Sequence, residues 1–167
     1  MKTKKLTLMA MLLAIALIIF TLEAQLPPIV PIPGVKIGLA NIITLISIYL
    51  LGRKEAFTVL ILRIVLGSVF SGNGIGFIYS VSGAILAFAA MGVLSAVLKE
   101  DKIWVISVFG AIAHNIGQIA AACFIIKSAQ ILWYLPLLTV FAVITGAFTG
   151  IAAQVVLKRL RKERSNA

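Results

Sequence analysis

Long apolar runs separated by short polar, glycine-rich or proline-rich breaks dominate the chain. The runs cover residues 6–22, 35–51, 56–70, 77–98, 103–126 and 135–157. They lack the period-two alternation of strands, and a helix of about 20 apolar residues spans roughly 30 Å of hydrocarbon. The pattern predicts an all-α integral membrane protein with six transmembrane helices, forming a single membrane domain over residues 1–167. The third run is short, so its helix either ends near the interface or continues into the following turn.

Composition agrees with this class, since 62% of residues are hydrophobic and only 12% are charged. The net charge of +10 raises the question of nucleic acid. Basic residues cluster in the breaks, however, and no basic face is interleaved with aromatic residues. The charge therefore indicates helix ends held at a membrane surface and no nucleic-acid partner.

The distribution of Lys and Arg predicts the orientation. In a six-span arrangement twelve of them fall on one side, whereas the other side has only Lys36 and Lys127. The positive-inside rule then places both termini in the cytoplasm of a bacterial cell membrane. The alternative of a cleaved signal peptide is disfavoured, because the first run exceeds a usual signal core and Leu22-Glu-Ala24 is a poor cleavage site.

Polar residues within the runs are candidate site residues, because burial in lipid is costly without a partner. Arg63 lies near the middle of the third run. His114 and Gln118 are four residues apart and share a helix face, with Asn115 beside them. Hydrogen bonding between helices is the open alternative for all of these residues.

Further polar residues begin at the same level of neighbouring helices. Asn41 and Tyr79 start near the outer ends of the second and fourth runs, and Asn73 lies in a glycine-rich outer turn. Convergence predicts a water-accessible pocket open to the outside, although unrelated helix contacts remain an alternative. The candidate substrate-binding residues are Lys36, Asn41, Arg63, Asn73, Tyr79, His114, Asn115 and Gln118.

The segment "PPIVPIPGVK" predicts a stiff loop over this pocket, because prolines restrict the backbone and lack amide donors. Lys36 follows it, at the predicted N-terminal end of the second helix. The helix dipole there also favours an anion, so the pair predicts an anionic or strongly polar ligand. A lysine solvated at the interface is the alternative.

Other chemistry receives little support. A single histidine without acidic or cysteine companions predicts no metal site, and no cofactor is expected. Cys123 is the only cysteine, so no internal disulfide forms. Small residues at Ala10 and Ala14, and at Gly146 and Gly150, permit close helix approach.

The stretches "KKLTLMAMLLAIAL", "PGVKIGLANIITLISIYLLGRKEA" and "LRIVLGSVFSG" resemble the Gx transporter family, also labelled heptaprenyl diphosphate synthase component I. The resemblance covers nearly the full chain. That family is similar to the substrate-binding S components of energy-coupling factor (ECF) transporters.

The resemblance implies a six-helix subunit that captures a small nutrient from outside and docks on a transmembrane coupling subunit carrying ATPases. It implies that Ala10 and Ala14 pack on the coupling subunit and that residues 25–34 cap the substrate. The chain has no ATP-binding GxxxxGK[ST] motif, so the energy would come from the partner.

The synthase label suggests a rival. Prenyl chain elongation uses aspartate-rich magnesium sites, whereas this chain has one aspartate, Asp101, and no carboxylate pair in its apolar runs. We therefore expect no enzyme activity and no catalytic residue. The rival function is a non-catalytic accessory subunit of a polyprenyl diphosphate, quinone or electron-transfer assembly.

Overall fold

The computed structural model describes residues 2–26, 36, 38–72 and 74–165, and within these ranges the chain is helical with no strand. The predicted all-α class is confirmed. Asn73 and most of the proline-rich loop lie outside the described residues. Two short 3-10 turns, Glu100–Lys102 and Ala129–Tyr134, precede the last two helices. The helices are α1 Lys2–Ala24, α2 Asn41–Leu51, α3 Arg53–Ser71, α4 Gly74–Val97, α5 Ile103–Ile126 and α6 Leu135–Ser165.

Four helical segments in the described ranges are long and apolar enough to cross a membrane. They are Thr3–Ala24, Gly74–Val97, Glu100–Ile126 and Ala129–Glu163. Their outer faces carry many exposed large hydrophobic side chains, which is the surface expected against lipid. The chain is therefore a membrane-embedded helical bundle.

The prediction that the second helix covers 35–51 was wrong for its first turn. Leu39 and Ala40 form a turn, Gly38 has a φ of +85°, and α2 begins only at Asn41. Its 11 residues reach about 16 Å at 1.5 Å per residue, roughly half of the hydrocarbon thickness. The apolar run continues through this turn because the turn packs inside the bundle. The hydrophobicity of these residues therefore indicated that they are buried, and it did not indicate a helix.

Several other helices extend beyond their apolar runs. α1 begins at Lys2, α3 begins at Arg53, and α6 continues to Ser165. Lys and Arg are good helix formers, so hydrogen bonding continues past the point where hydrophobicity stops. The bounds of α5 coincide with the predicted 103–126.

Glycines bring α4 and α5 into backbone contact. A Cβ at Gly117 would lie 2.6 Å from the Ser82 carbonyl oxygen, and the Ser82 hydroxyl donates to the Gly117 carbonyl at 2.7 Å. On the same interface, a Cβ at Gly83 would lie 2.8 Å from the His114 carbonyl oxygen. Close approach of these two helices therefore depends on the absence of side chains.

The α5–α6 interface uses the predicted glycine pair. Cβ atoms at Gly146 and Gly150 would come within 2.7 Å of Val108 Cα and 2.5 Å of Trp104 Cα. The close helix approach predicted from Gly146 and Gly150 is confirmed. α5 therefore packs closely against both α4 and α6.

Two ion pairs join helix ends at one end of the bundle. The buried polar residues described below lie toward the opposite end. Lys5 of α1 pairs with Glu55 of α3, and the Arg161 guanidinium of α6 donates to both carboxylate oxygens of Glu100. Exposed pairs of this kind contribute little to stability. They nevertheless show that basic segments at helix ends, although far apart in the sequence, lie at one end of the structure.

We expect Gly150→Ala to lower the stability of the detergent-solubilised protein by about 1–3 kcal/mol, because its Cβ collides with the α5 backbone. Gly92→Ala is the matched control, since no atom lies within 4 Å of a Cβ built there. It should be neutral or slightly stabilising. Thermal unfolding of both variants gives the comparison, and equal shifts would contradict the assigned interface.

Candidate functional site

A group of polar side chains from four helices and from the non-helical segment before α2 meets near the C-terminal end of α1. All of its members except Lys36 are buried. Glu23 lies 18 residues beyond Lys5 in α1, so about 27 Å of helix separates this group from the ion pairs. We call the group the polar cluster, and it comprises Glu23, Lys36, Asn41, Arg63, His114 and Gln118.

Gln118 of α5 holds the peptide group of Lys36. With the amide oriented so that both of its atoms are satisfied, Nε2 donates to the Lys36 carbonyl at 2.8 Å. Oε1 accepts from the Lys36 amide at 3.3 Å and from His114 Nε2 at 3.2 Å. The Gln118 side chain is fully buried, so this double contact fixes the non-helical segment against α5.

Glu23 of α1 holds the same segment from the other side. Its carboxylate is 6% exposed and accepts a hydrogen bond from the Gly38 amide at 2.5 Å. An anion is favoured close to the start of a helix, here α2. The sequence predicted a bound anion beside Lys36 at the start of the second helix. The Glu23 carboxylate of the chain itself lies close to that position.

Glu23 is a site residue that sequence reasoning missed. It follows the first apolar run and comes four residues before Pro27, and it is not among the candidate site residues of the sequence analysis. The available signal was the scarcity of acids, since the chain has only five Asp and Glu residues. An acid within α1 that remains buried requires a partner in the fold.

The Lys36 side chain packs over an aromatic ring. Its Nζ lies 3.3 Å from the centroid of the Phe20 ring, within the range of a cation–π interaction. The Phe20 ring in turn rests on Gly67 of α3, where a Cβ would lie 2.8 Å from Phe20 Cε1.

Arg63 supplies a second cation from α3. Its side chain is 5% exposed and lies within electrostatic range of Glu23 and His114. No described carboxylate is within ion-pairing distance of the guanidinium, and Nε has no hydrogen-bond partner among the described residues. A buried donor without a partner is unusual in a folded protein.

Asn41 and His114 add further unpartnered atoms. In the described part of the chain, neither Asn41 Nδ2 nor Oδ1 has a hydrogen-bond partner, nor does His114 Nδ1. Because His114 Nε2 donates to Gln118, its Nδ1 presents a lone pair. A Cβ built at Gly38 would lie 2.9 Å from Asn41 Nδ2 and 3.0 Å from His114 Cδ2, so the two side chains face the same place.

The remaining predicted residues point elsewhere or lie outside the described chain. Asn115 donates from Nδ2 to the Leu138 carbonyl of α6 at 2.8 Å, and Tyr79 packs in an apolar cluster with Ile119 and Leu138. Asn73 is outside the described residues. The structure thus brings together Lys36, Asn41, Arg63, His114 and Gln118, whereas contact of the other three with a ligand stays a prediction.

The α1 surface that carries the predicted partner residues is open. Ala10 and Ala14 are both exposed, as are the neighbouring Met11 and Ile18. Within the described ranges, no other helix of the chain covers this face. It is available to lipid or to another membrane helix.

The polar cluster offers hydrogen bonding and charge but no set of metal ligands. No group of three His, Cys, Asp or Glu side chains lies together in the part of the chain that the structure describes. Its donors are Arg63 Nε and Asn41 Nδ2, and its acceptors are Asn41 Oδ1 and His114 Nδ1. The arrangement suits recognition of a polar molecule.

The sequence matches the family described as heptaprenyl diphosphate synthase component I over residues 12–156. The chain belongs to this family. The matched range includes every residue of the polar cluster, and it confirms the resemblance to this family, whereas the similarity to ECF S components stays a prediction. Comparison with curated proteins and with solved structures found no match.

We expect Gly38→Ala to destabilise this family member more than Gly72→Ala does. Both glycines have a positive φ, which strains any other residue, but only at Gly38 would the Cβ collide with Asn41 and His114. The difference in thermal unfolding between the two variants should correspond to about 1–3 kcal/mol. Equal losses would show that backbone strain alone explains Gly38 and that the segment does not pack tightly on α5.

Proposed function

We propose that the protein is a substrate-binding membrane subunit of an ECF-type transporter, capturing a small polar or anionic nutrient from outside. The observation that carries this proposal is the set of buried, unpartnered polar atoms on Asn41 and His114, which both contact Gly38, and on Arg63 of α3. Leaving a buried donor or acceptor unsatisfied costs about 1–3 kcal/mol. A ligand that satisfies several of them at once gains a corresponding advantage over water.

The shortened helix supports the same proposal. Non-helical backbone at membrane depth is tolerated where it is enclosed by protein or lines a cavity, and transporters place substrate sites at such interrupted helices. The segment from Lys36 to Ala40 precedes the half-length α2 and is buried or half-buried where described. In this proposal it forms one wall of the ligand site.

The proposed topology has six membrane crossings with both termini in the cytoplasm of a bacterial cell. The second crossing consists of α2 together with the segment before it, and α3 makes the third. The ends joined by the Lys5–Glu55 and Arg161–Glu100 pairs then face the cytoplasm. The polar cluster lies in the outer half of the membrane, reached from outside.

The proposed partner is a transmembrane coupling subunit that carries ATPases. Its docking surface is the exposed face of α1 around Ala10 and Ala14, where small side chains allow a close helix contact. The chain itself performs no catalysis in this proposal. Substrate capture, docking and reorientation would be driven by ATP hydrolysis in the partner.

The family description favours a second candidate, a non-catalytic accessory subunit in polyprenyl diphosphate or quinone synthesis. In that case Arg63 and Lys36 would hold a lipid headgroup. Affinity capture of the tagged protein from its native membrane distinguishes the two. Recovery of a coupling subunit with ATPases supports transport, whereas recovery of a prenyl synthase supports the accessory role.

We predict opposite effects of removing two buried asparagines. Asn41→Leu should raise thermal stability in the absence of ligand while abolishing binding of a co-purified small molecule, because its amide has no described partner. Asn115→Leu should lower stability, because its Nδ2 bonds to the Leu138 carbonyl. Thermal unfolding and mass spectrometry of the extracted ligand measure both. Asn41→Leu with wild-type ligand content would remove Asn41 from the site.

Replacing Ala10 and Ala14 together with leucine should abolish uptake and recovery of the coupling subunit while sparing ligand content. Enlarging Ile15 and Leu22 to phenylalanine is the matched control, since both are exposed on the same helix but further round it. The control should retain uptake. Loss of ligand content in the alanine variants would argue against a separate docking face.

A further inference from the structure

The polar cluster carries an unequal number of positive and negative side chains. Lys36 and Arg63 are cations, Glu23 is the one carboxylate among the six members, and His114 is counted as neutral. Counted formally, the cluster has a net charge of +1. One negative charge on a ligand would balance it, whereas two or more would leave an excess of buried negative charge.

The two cations are not equivalent. Lys36 lies over the Phe20 ring at 3.3 Å, and its carbonyl and amide are held by Gln118. Arg63 has no described ion-pair partner and an unpartnered Nε. Arg63 is therefore the cation available to a ligand anion, and its guanidinium geometry matches a carboxylate.

The unpartnered atoms of the neutral members of the polar cluster require both hydrogen-bond donors and hydrogen-bond acceptors from a ligand. Asn41 Oδ1 and His114 Nδ1 are buried acceptors, and each requires an N–H or O–H group. Asn41 Nδ2 beside them requires an acceptor. A ligand made only of acceptor oxygens would leave Asn41 Oδ1 and His114 Nδ1 unsatisfied.

We infer that the site takes a compact organic monocarboxylate that carries N–H or O–H donors next to acceptor oxygens. This inference rests on the proposed function and narrows its ligand. A phosphate monoester carries about −1.5 to −2 charges at pH 7, and a prenyl diphosphate has several anionic oxygens without donors. Neither matches the charge or the hydrogen-bonding groups of the polar cluster.

The test uses defined probes on the purified protein in detergent. Orotate and pyroglutamate are monocarboxylates with N–H donors, and uracil and pyroglutamide are their uncharged counterparts. Farnesyl diphosphate represents the multiply charged, donor-free class. We expect at least one of the two acids to raise the unfolding temperature and to exceed both its uncharged counterpart and farnesyl diphosphate.

Three results would overturn the inference. They are stabilisation by farnesyl diphosphate equal to or above that by the acids, equal stabilisation by acid and uncharged counterpart, and no stabilisation by either acid. Stabilisation by farnesyl diphosphate would contradict the inferred ligand class. The transport function would still be tested separately, by affinity capture of the coupling subunit. Failure of the ligand class and failure of the proposed function are thereby distinguishable.

Two charge variants test the count directly. Lys36→Met removes a cation but keeps the backbone contacts with Gln118, so the preference for acid over uncharged counterpart should fall roughly tenfold. Glu23→Gln keeps an acceptor for the Gly38 amide but raises the net charge to +2. It should shift the preference from the acids toward farnesyl diphosphate. Unchanged preferences in both variants would show that these charges do not act on the ligand.

Discussion

The fold depends on satisfying the backbone of the non-helical residues before α2, of which Lys36 and Gly38 to Ala40 are described. A helix would have provided these peptide groups with partners, but α2 begins only at Asn41. Gln118 bonds the Lys36 peptide group from α5, and Glu23 accepts from the Gly38 amide. Polar side chains are thus required at this place in the bundle for structural reasons, and the same side chains form the candidate ligand site.

Close packing of α4 on α5 gives these contacts their geometry. Gly83 and Gly117 allow the two helices to meet at their backbones, which sets the position of His114 and Gln118. One residue further along α5, Asn115 points to α6 and bonds the Leu138 carbonyl. A rotation of about 100° per residue therefore separates His114, which contacts Gly38, from Asn115, which joins two helices.

The electrostatic arrangement bears on both functional interpretations. A prenyl diphosphate headgroup and a small nutrient acid would each approach Arg63, the cation without a described ion pair. Glu23 distinguishes them, because a carboxylate beside the cations reduces the attraction for a multiply charged headgroup. The family description therefore favours a prenyl diphosphate headgroup, whereas the charge count favours a small acid with one negative charge. The identity of the ligand decides between the two functions.

The sequence alone determined the all-helical membrane class and the family, and it indicated that Arg63 and His114 are buried. These properties follow from local composition, since lipid requires apolar helices wherever it surrounds the chain. Only the tertiary structure decided where α2 begins, that Glu23 is a site residue, and that Asn115 bonds α6 while His114 faces Gly38. Each of these depends on contacts between residues far apart in the chain, which periodicity along one helix does not encode.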